Sequence, residues 1–113
     1  MSSLNKVQLI GNLGADPEVK GNGENAVTRI SVATSEKFKV DGEEQERTEW
    51  HSVVAFNGLG KTIAQYKKKG DTVYVEGRIR TNSWLDKESG EKKYRTEVVA
   101  DKVLFIGGKR TEA

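Results

Sequence analysis

The chain has 113 residues, which is enough for one domain with a single modest core. It contains no cysteine and one histidine, which excludes disulfides, thiolate metal sites and multi-histidine metal sites, and no apolar stretch is long enough to span a membrane. The net charge of +2 is uneven, because residues 1–57 hold 6 Lys/Arg against 9 Asp/Glu and residues 58–113 hold 13 against 8. A basic second half favours an anionic partner such as nucleic acid.

The first third of the chain has the pattern of strands separated by turns. Residues 4–14 alternate between apolar and polar side chains, and Gly11 inside this strand predicts a bulge or a sharp bend. A short edge piece at 18–20 precedes a turn at 21–25 that is rich in glycine and asparagine. A second long strand is predicted over 26–38.

The next strand carries the most informative aromatic residues of the first half. Residues 39–46 are predicted to form a charged loop with a hairpin turn at Asp41-Gly42. Residues 47–57 then form a strand whose inner face holds Val53 and Ala55. The other face is either a core stripe or a platform on which flat rings stack, and it holds Trp50, Ser52, Val54 and Phe56. Val54 is the member of this face that the platform interpretation explains least.

One helix is predicted, over residues 58–70. Its apolar stripe is made of Leu59, Ile63 and Tyr66, at helical spacing. Three lysines near the predicted C-terminus suit the helix dipole, and Gly70 suits the position just after the helix.

A fourth strand at 71–84 has two chemically different faces. The inner face is predicted to hold Val73, Val75 and Ile79. The other face is polar and basic and ends in a tryptophan; it holds Tyr74, Glu76, Arg78, Arg80, Asn82 and Trp84. A charged hairpin tip at 85–93 leads to a fifth strand at 94–108.

Three strands, one helix and two strands, joined mostly by hairpin-like connections, predict an all-β fold with one helix. The arrangement expected is a five-stranded antiparallel OB-fold barrel with its helix between strands 3 and 4. We assign residues 1–107 to this domain and residues 108–113 to a short flexible C-terminus.

Three enzyme-like motifs are present, and each is better explained without catalysis. Residues 55–62 resemble a phosphate-binding loop, but Ala55 replaces its first glycine and one helix cannot cover a parallel nucleotide-binding sheet. The Lys-Val-Asp-Gly stretch at 39–42 resembles a ligase nucleophile motif without the large domain that such a nucleophile needs. His51 and Ser52 are neighbours on a strand and therefore face opposite ways. We expect no enzyme, no cofactor and no metal.

Aromatic and basic residues are interleaved along strands two to four. Bases stack on aromatic rings in any sequence, and cations beside them contact phosphates. Most single aromatics are core residues, but Trp84 lies on a polar face, and Phe38 lies between Lys37 and Lys39. The stacking candidates are Phe38, Trp50, Phe56 and Trp84, and the phosphate-binding candidates are Lys37, Lys39, Lys68, Lys69, Arg78, Arg80, Lys87, Lys92 and Lys93. Residue chemistry alone does not decide whether these aromatic rings pack in the core or bind single-stranded RNA or DNA.

Four segments, at 5–20, 48–57, 66–81 and 94–101, together resemble the bacterial single-stranded DNA-binding protein family. The resemblance covers nearly the whole chain in order and spacing. It implies an OB-fold, sequence-independent binding of single-stranded DNA, a homotetramer, and roles in replication, recombination and repair in the bacterial cytoplasm, or in a host cytoplasm for a phage or plasmid protein. An OB-fold adaptor of replication restart, acting mainly through protein partners, is the alternative.

The resemblance also implies roles for individual residues. Base stacking is implied for Trp50, Phe56 and Trp84, with Phe38 where many members have tryptophan. Gly58 and Ser83 stand where basic residues are common. Contacts between subunits are implied for Asn5, Lys6, Val7, Gln8, Leu9, Ile10, His51 and Tyr74. Members usually continue into an acidic tip that recruits partners, and this sequence does not support recruitment by such a tail.

Overall fold

The computed structural model describes residues 1–107, so the predicted flexible segment 108–113 lies outside the described residues. The strands and helices in chain order are β1 (Val7–Leu13), β2 (Glu18–Lys20), a 3₁₀ turn (Gly23–Asn25), β3 (Val27–Val40), β4 (Glu43–Phe56), α1 (Asn57–Tyr66), β5 (Thr72–Leu85) and β6 (Lys92–Phe105).

The strands form a closed barrel. Their order is β1-β5-β6-β4-β3-β2, and pairing between β1 and β3 closes the sheet on itself. Five strands make the barrel, β2 extends the β3 edge, and α1 lies between the third and fourth barrel strands, as predicted for an OB-fold. One pairing departs from the expected antiparallel pattern, because β4 and β6 run parallel over Val53↔Val98 and Val54↔Val99.

The barrel core is aliphatic. Inward-facing valines of four strands meet there, and Ile63 of α1 is buried against them; burial of such a side chain contributes about 1.5–3 kcal/mol. The predicted inward positions Val53, Ala55, Val73 and Val75 are all buried. Val7 and Leu9 pack against the core from β1 while remaining partly exposed.

Gly11 lies next to the point at which β1 begins to pair with a second strand. It pairs with Val73 of β5, and the next residue, Asn12, pairs with both Thr72 of β5 and Ala33 of β3. A Cβ atom at Gly11 would collide with the Ala33 carbonyl oxygen. Gly11 therefore lies beside the corner at which the barrel closes, and the β1–β5 register runs through it without a bulge.

Gly77 marks an irregularity that the sequence pattern did not reveal. The register between β5 and β6 shifts between Glu76 and Gly77, and a Cβ atom at Gly77 would collide with the Val99 carbonyl oxygen. Only a residue without a side chain allows the two backbones to approach this closely.

We expect Gly77→Ala to destabilise the fold by about 3 kcal/mol, because the added methyl group must push against backbone. Urea unfolding followed by circular dichroism would measure the loss. Gly58→Ala is the matched control: a Cβ atom there meets nothing within 4 Å in the part of the chain that the structure describes, and alanine favours the helix by up to about 1 kcal/mol. Equal stability of the two variants would contradict the proposed role of Gly77.

The helix is shorter than predicted. It ends at Tyr66, and Lys67 already has extended backbone angles, so the three lysines follow the helix and none of them lies in its last turn. Two carboxylates hold the lysine loop instead: Asp71 accepts the Lys68 N–H and Asp16 accepts the Lys69 N–H. The predicted stripe is also incomplete, because Tyr66 is exposed.

Both long hairpins extend further than the sequence pattern indicated. Residues 39–46, predicted as a loop, are strand on both sides of a tight turn at Asp41 and Gly42, whose φ angles are 52° and 81°. The ladder continues to the last pair, Val40↔Glu43. The charged composition resembles that of a loop because both faces of a projecting hairpin are solvated.

Ile79 was predicted to lie in the core, and this prediction is wrong. It is 50% exposed, because it lies beyond the Gly77 irregularity, where β5 runs toward the projecting hairpin. It lines an open cavity at the mouth of the barrel with Val7, Leu9 and Trp50.

The described part of the chain, residues 1–107, contains no helix long and apolar enough to cross a membrane. Within the same residues, no group of three or more His, Asp or Glu side chains is arranged to hold a metal ion.

Candidate nucleic-acid interface

The outward face of β4 presents two aromatic rings. Trp50 is 62% exposed and Phe56 is 39% exposed, so neither belongs to the core, and the core-stripe interpretation of these two residues is wrong. Gly14 lies under the indole of Trp50, where a Cβ atom would collide with the ring. Trp50 is therefore supported from below by backbone and remains open to solvent above.

Val54, between these rings, is fully buried although it faces outward. It pairs with Arg29 of β3 on one side and with Val99 of β6 on the other. Neither Val54 nor Val99 belongs to the cluster of buried residues that fills the barrel. The two valines form an apolar floor beneath the charged side chains of the outer surface, which explains the residue that the platform hypothesis left unexplained.

Trp84 lies on the same outer surface, on the hairpin formed by β5 and β6. Residues directly opposite each other in an antiparallel pair share a face. The pairs Arg80↔Glu97, Asn82↔Arg95 and Trp84↔Lys93 therefore place their side chains together. Trp84 is 47% exposed, and it lines an open pocket of about 240 Å³ with Arg29, Asn82 and Arg95.

An ionic cluster centred on Glu97 connects Phe56 with Trp84. The Glu97 carboxylate accepts hydrogen bonds from Arg29 Nη1 at 2.7 Å, Arg80 Nη2 at 3.0 Å and Asn82 Nδ2 at 2.9 Å. The Arg80 guanidinium carbon lies 5.7 Å from the centre of the Phe56 ring, within range of a cation–π contact. Burial alone would raise the pKa of Glu97, but the hydrogen bonds from Arg80 and Arg29 outweigh it and lower that pKa.

Phe38 does not share this surface. The β3–β4 register pairs Phe38 with Gln45 and Ala33 with Trp50, so alternation puts Phe38 on the opposite face of the hairpin from Trp50. It is also half-buried, with the Arg47 guanidinium carbon 5.0 Å from the ring centre. The sequence showed its lysine neighbours but not the face to which its ring points.

The predicted phosphate-binding residues are spread over the molecule. Arg80 and Lys93 lie within the outer surface, and Lys37 and Lys39 lie on the Trp50 side of their hairpin. Arg78 is exposed and paired with Asp101 at 3.0 Å.

The remaining predicted cations lie away from the surface that holds Phe56 and Trp84. Lys68 and Lys69 occupy the loop after α1, and Lys87 lies in the connection between β5 and β6. Lys92 pairs with Leu85, on the face opposite Trp84, and its Nζ atom lies over the Tyr94 ring at 5.7 Å.

Three residues of the site were not predicted: Arg29, Arg95 and Glu97. Strand alternation could have indicated Arg29, since it lies on the strand face opposite the buried Ile30. No sequence pattern indicated Glu97, because it is the β5–β6 register that places this acid opposite Arg80.

The residues expected at subunit contacts fall into two groups. On the outer face of β1 and β5, Lys6 pairs with Glu76 at 2.7 Å and Gln8 Nε2 donates to the Tyr74 hydroxyl at 2.9 Å. The hydrogen bond to Lys6 lowers the pKa of Glu76. Ile10 lies beside Tyr74 on the same face and is well exposed.

The second group lies at the barrel mouth. His51 lines the cavity that contains Val7 and Leu9, and its Nε2 atom is 2.9 Å from Thr34 Oγ1. The Asn5 side chain extends the β1–β5 ladder by donating to the Ile79 carbonyl and accepting from the Ile79 N–H.

Comparison with known proteins identifies the family. The model of the single-strand binding protein family matches residues 4–106. A curated relative from Xylella fastidiosa, named single-stranded DNA-binding protein 1, is 48% identical over 97% of this chain and 82% of its own length. A relative of the same name from Chlorobaculum tepidum is 49% identical over 94% of this chain and 67% of its own.

A solved structure has the same fold. The structure described as Plasmodium falciparum SSB in complex with single-stranded DNA superimposes with a TM-score of 0.83 at 32% identity, over 95% of this chain and 98% of that one. Proteins of this kind are binders and not enzymes, as the sequence predicted. The chain belongs to the single-strand binding protein family.

Proposed function

We propose that this protein binds single-stranded DNA without reading its sequence, by stacking bases on Trp50, Phe56 and Trp84. The observation that carries the proposal is that three exposed aromatic rings share one outer surface, with cationic side chains between them. Every base has a π-face, so stacking contributes about 1–3 kcal/mol per base whatever the sequence. The names of the curated relatives and the bound strand in the Plasmodium complex support DNA as the ligand.

The cations around these rings would bind the phosphates of the DNA strand. Arg80 and Lys93 flank the stacking surface, and Lys37 and Lys39 lie along its β3–β4 side. Arg78 shares the strand face of Arg80 and would contact the DNA strand beside it. The other predicted cations would serve a DNA strand that continues beyond this surface; they are Lys68, Lys69, Lys87 and Lys92. Phe38 would be reached only by a strand that passes around the edge of the β3–β4 hairpin.

Binding should quench tryptophan fluorescence, because both tryptophans lie on the proposed surface. Titration with poly-dT at several salt concentrations should give an affinity that falls with salt, with a slope of about −0.7 per phosphate contact. If poly-dT produced no quench and no mobility shift at low salt, the proposal would be overturned. Competition by a matched RNA oligomer in the same assay would measure the preference for DNA.

Self-association, as a homotetramer, is a further part of the proposal. Ile10, Tyr74 and Leu104 form a row across β1, β5 and β6, and Ile10 and Leu104 are exposed apolar side chains. Among the described residues, the first part of β1 pairs only with β5, so its other edge is open to a second chain. An exposed apolar row beside an open strand edge fits a contact between identical subunits.

The cellular role follows from the ligand. A protein that coats single strands of any sequence would act wherever strands are separated, in replication, recombination and repair. In a bacterium this places it in the cytoplasm with the DNA.

A further inference from the structure

Glu97 is a buried acid surrounded by the cations Arg29 and Arg80, between the aromatic rings of Phe56 and Trp84. Its side chain has no exposed area, and it lies on the outward side of β6, apart from the aliphatic barrel core. A carboxylate is costly to bury, and beneath a DNA-binding surface it also removes positive charge. Its presence there calls for an explanation beyond packing.

The carboxylate ties together strands that are not neighbours. Arg29 comes from β3, whereas Arg80 and Asn82 come from β5, and the sheet order places β6 and β4 between those strands. One oxygen accepts from Arg29, and the other accepts from Arg80 and Asn82. All three donors are therefore held by a single group beneath the surface.

Both arginines keep one side open to solvent. Their side chains are 35% and 39% exposed, and they point to different parts of the stacking surface. Arg80 lies against the Phe56 ring, while Arg29 lines the pocket beside Trp84. Glu97 thus contacts both arginines from beneath the surface, and its buried side chain cannot contact a ligand itself.

We propose that Glu97 is a positioning residue for nucleic-acid binding, which holds Arg29 and Arg80 in place between Phe56 and Trp84. Two long side chains fixed before binding lose less conformational freedom when the strand arrives. The carboxylate also offsets the repulsion between the two guanidinium groups. This inference rests on the proposed function.

Glu97→Gln tests the inference through the sign of its effect. The amide removes one negative charge from the surface. It also replaces one accepting oxygen with an NH₂ group, whose N–H donors face the N–H donors of the neighbouring side chains. If Glu97 positions the arginines, the variant should bind a dT oligomer about tenfold more weakly at low salt and at high salt, since preorganisation is lost at both. If Glu97 only offsets charge, the variant should bind more tightly at low salt and like the wild type at high salt, because that attraction is screened. The second result would overturn the inference.

Asp101→Asn is the matched control. Asp101 pairs with Arg78 between the same two strands at the same 3.0 Å distance, but both partners are exposed. Its loss should leave binding unchanged or slightly tighter.

A double-mutant cycle separates positioning from folding. In an Arg29→Gln/Arg80→Gln background, Glu97→Gln should cost little further affinity; an undiminished cost would mean that Glu97 acts through the fold and would overturn the inference. If the amide variant does not fold, Glu97→Asp keeps the charge but shortens the reach and should weaken binding in the same direction, whereas full affinity would overturn the inference. A wild-type chain that fails to bind dT would overturn the proposed function, and this inference with it.

Discussion

Trp84→Ala should weaken binding of a dT oligomer by about 5- to 140-fold, which corresponds to about 1–3 kcal/mol. The indole is a half-exposed ring on a β5–β6 face that also holds Lys93 and Arg95, so a base stacked on it lies next to cations. Its removal takes away the platform and leaves the strand pairing intact. The loss should be similar for dT, dC and dA oligomers, because stacking does not depend on base identity. Fluorescence anisotropy of labelled oligomers would measure it.

Tyr94→Ala is the matched control, since the same hairpin carries Tyr94 on its other face. Tyr94 pairs with Ser83, one position from Trp84, and is more exposed, at 64% against 47%. We expect it to change affinity less than twofold. Equal losses for the two variants would mean that the hairpin binds DNA on both faces. Weak binding that is insensitive to Trp84→Ala would favour instead an adaptor that acts through protein partners.

Ile10→Glu should dissociate the proposed oligomer. In the free chain this side chain is 61% exposed beside Tyr74, so a charge there costs the monomer fold little. In a contact between subunits the same charge would be buried without a partner, which costs several kcal/mol, counted once on each side of a symmetric interface. Light scattering should therefore show a fall in mass from that of the wild type toward 12.5 kDa, the mass of one chain.

Val40→Glu provides the comparison for this experiment. Val40 is also an exposed aliphatic residue, but it lies beside the turn of the β3–β4 hairpin, away from the Ile10 row. Its replacement should leave the mass unchanged. An Ile10→Glu chain that keeps both its fold by circular dichroism and the wild-type mass would show that this face is not a subunit contact. A wild-type mass of one chain would overturn self-association altogether.

The strand pattern predicted much of the site because a strand side chain has only two possible directions. Alternation along β4 separated Val53 and Ala55 from Trp50 and Phe56, and alternation along β5 placed Trp84 on a polar face. The same rule gave no warning about Ile79, because alternation specifies the side of a strand but not where the barrel beneath it ends. The helix end was also missed, because lysines favour helical and loop conformations alike.

The faces of the two hairpins show where the sequence stops being sufficient. Phe38 and its lysine neighbours formed a convincing stacking site in the sequence, yet the β3–β4 ladder puts the ring on the opposite face from Trp50. Relating two strands requires their register, and register depends on the turn and on the partner strand as well as on local composition.

The sequence alone determined the strand faces and the chemistry of Trp50, Phe56 and Trp84, since the faces follow from local alternation and the chemistry from residue type. The structure established that the three rings are exposed. The tertiary structure alone decided what lies between them. Pairing of β5 with β6 placed Glu97 opposite Arg80, and pairing of β4 with both β6 and β3 brought Arg29 to the same carboxylate. Residues 29, 80 and 97 lie on three different strands, so only the pairing of those strands through the sheet brings them together. The physical reason is that alternation acts between neighbours in sequence, whereas ion pairs form between neighbours in space.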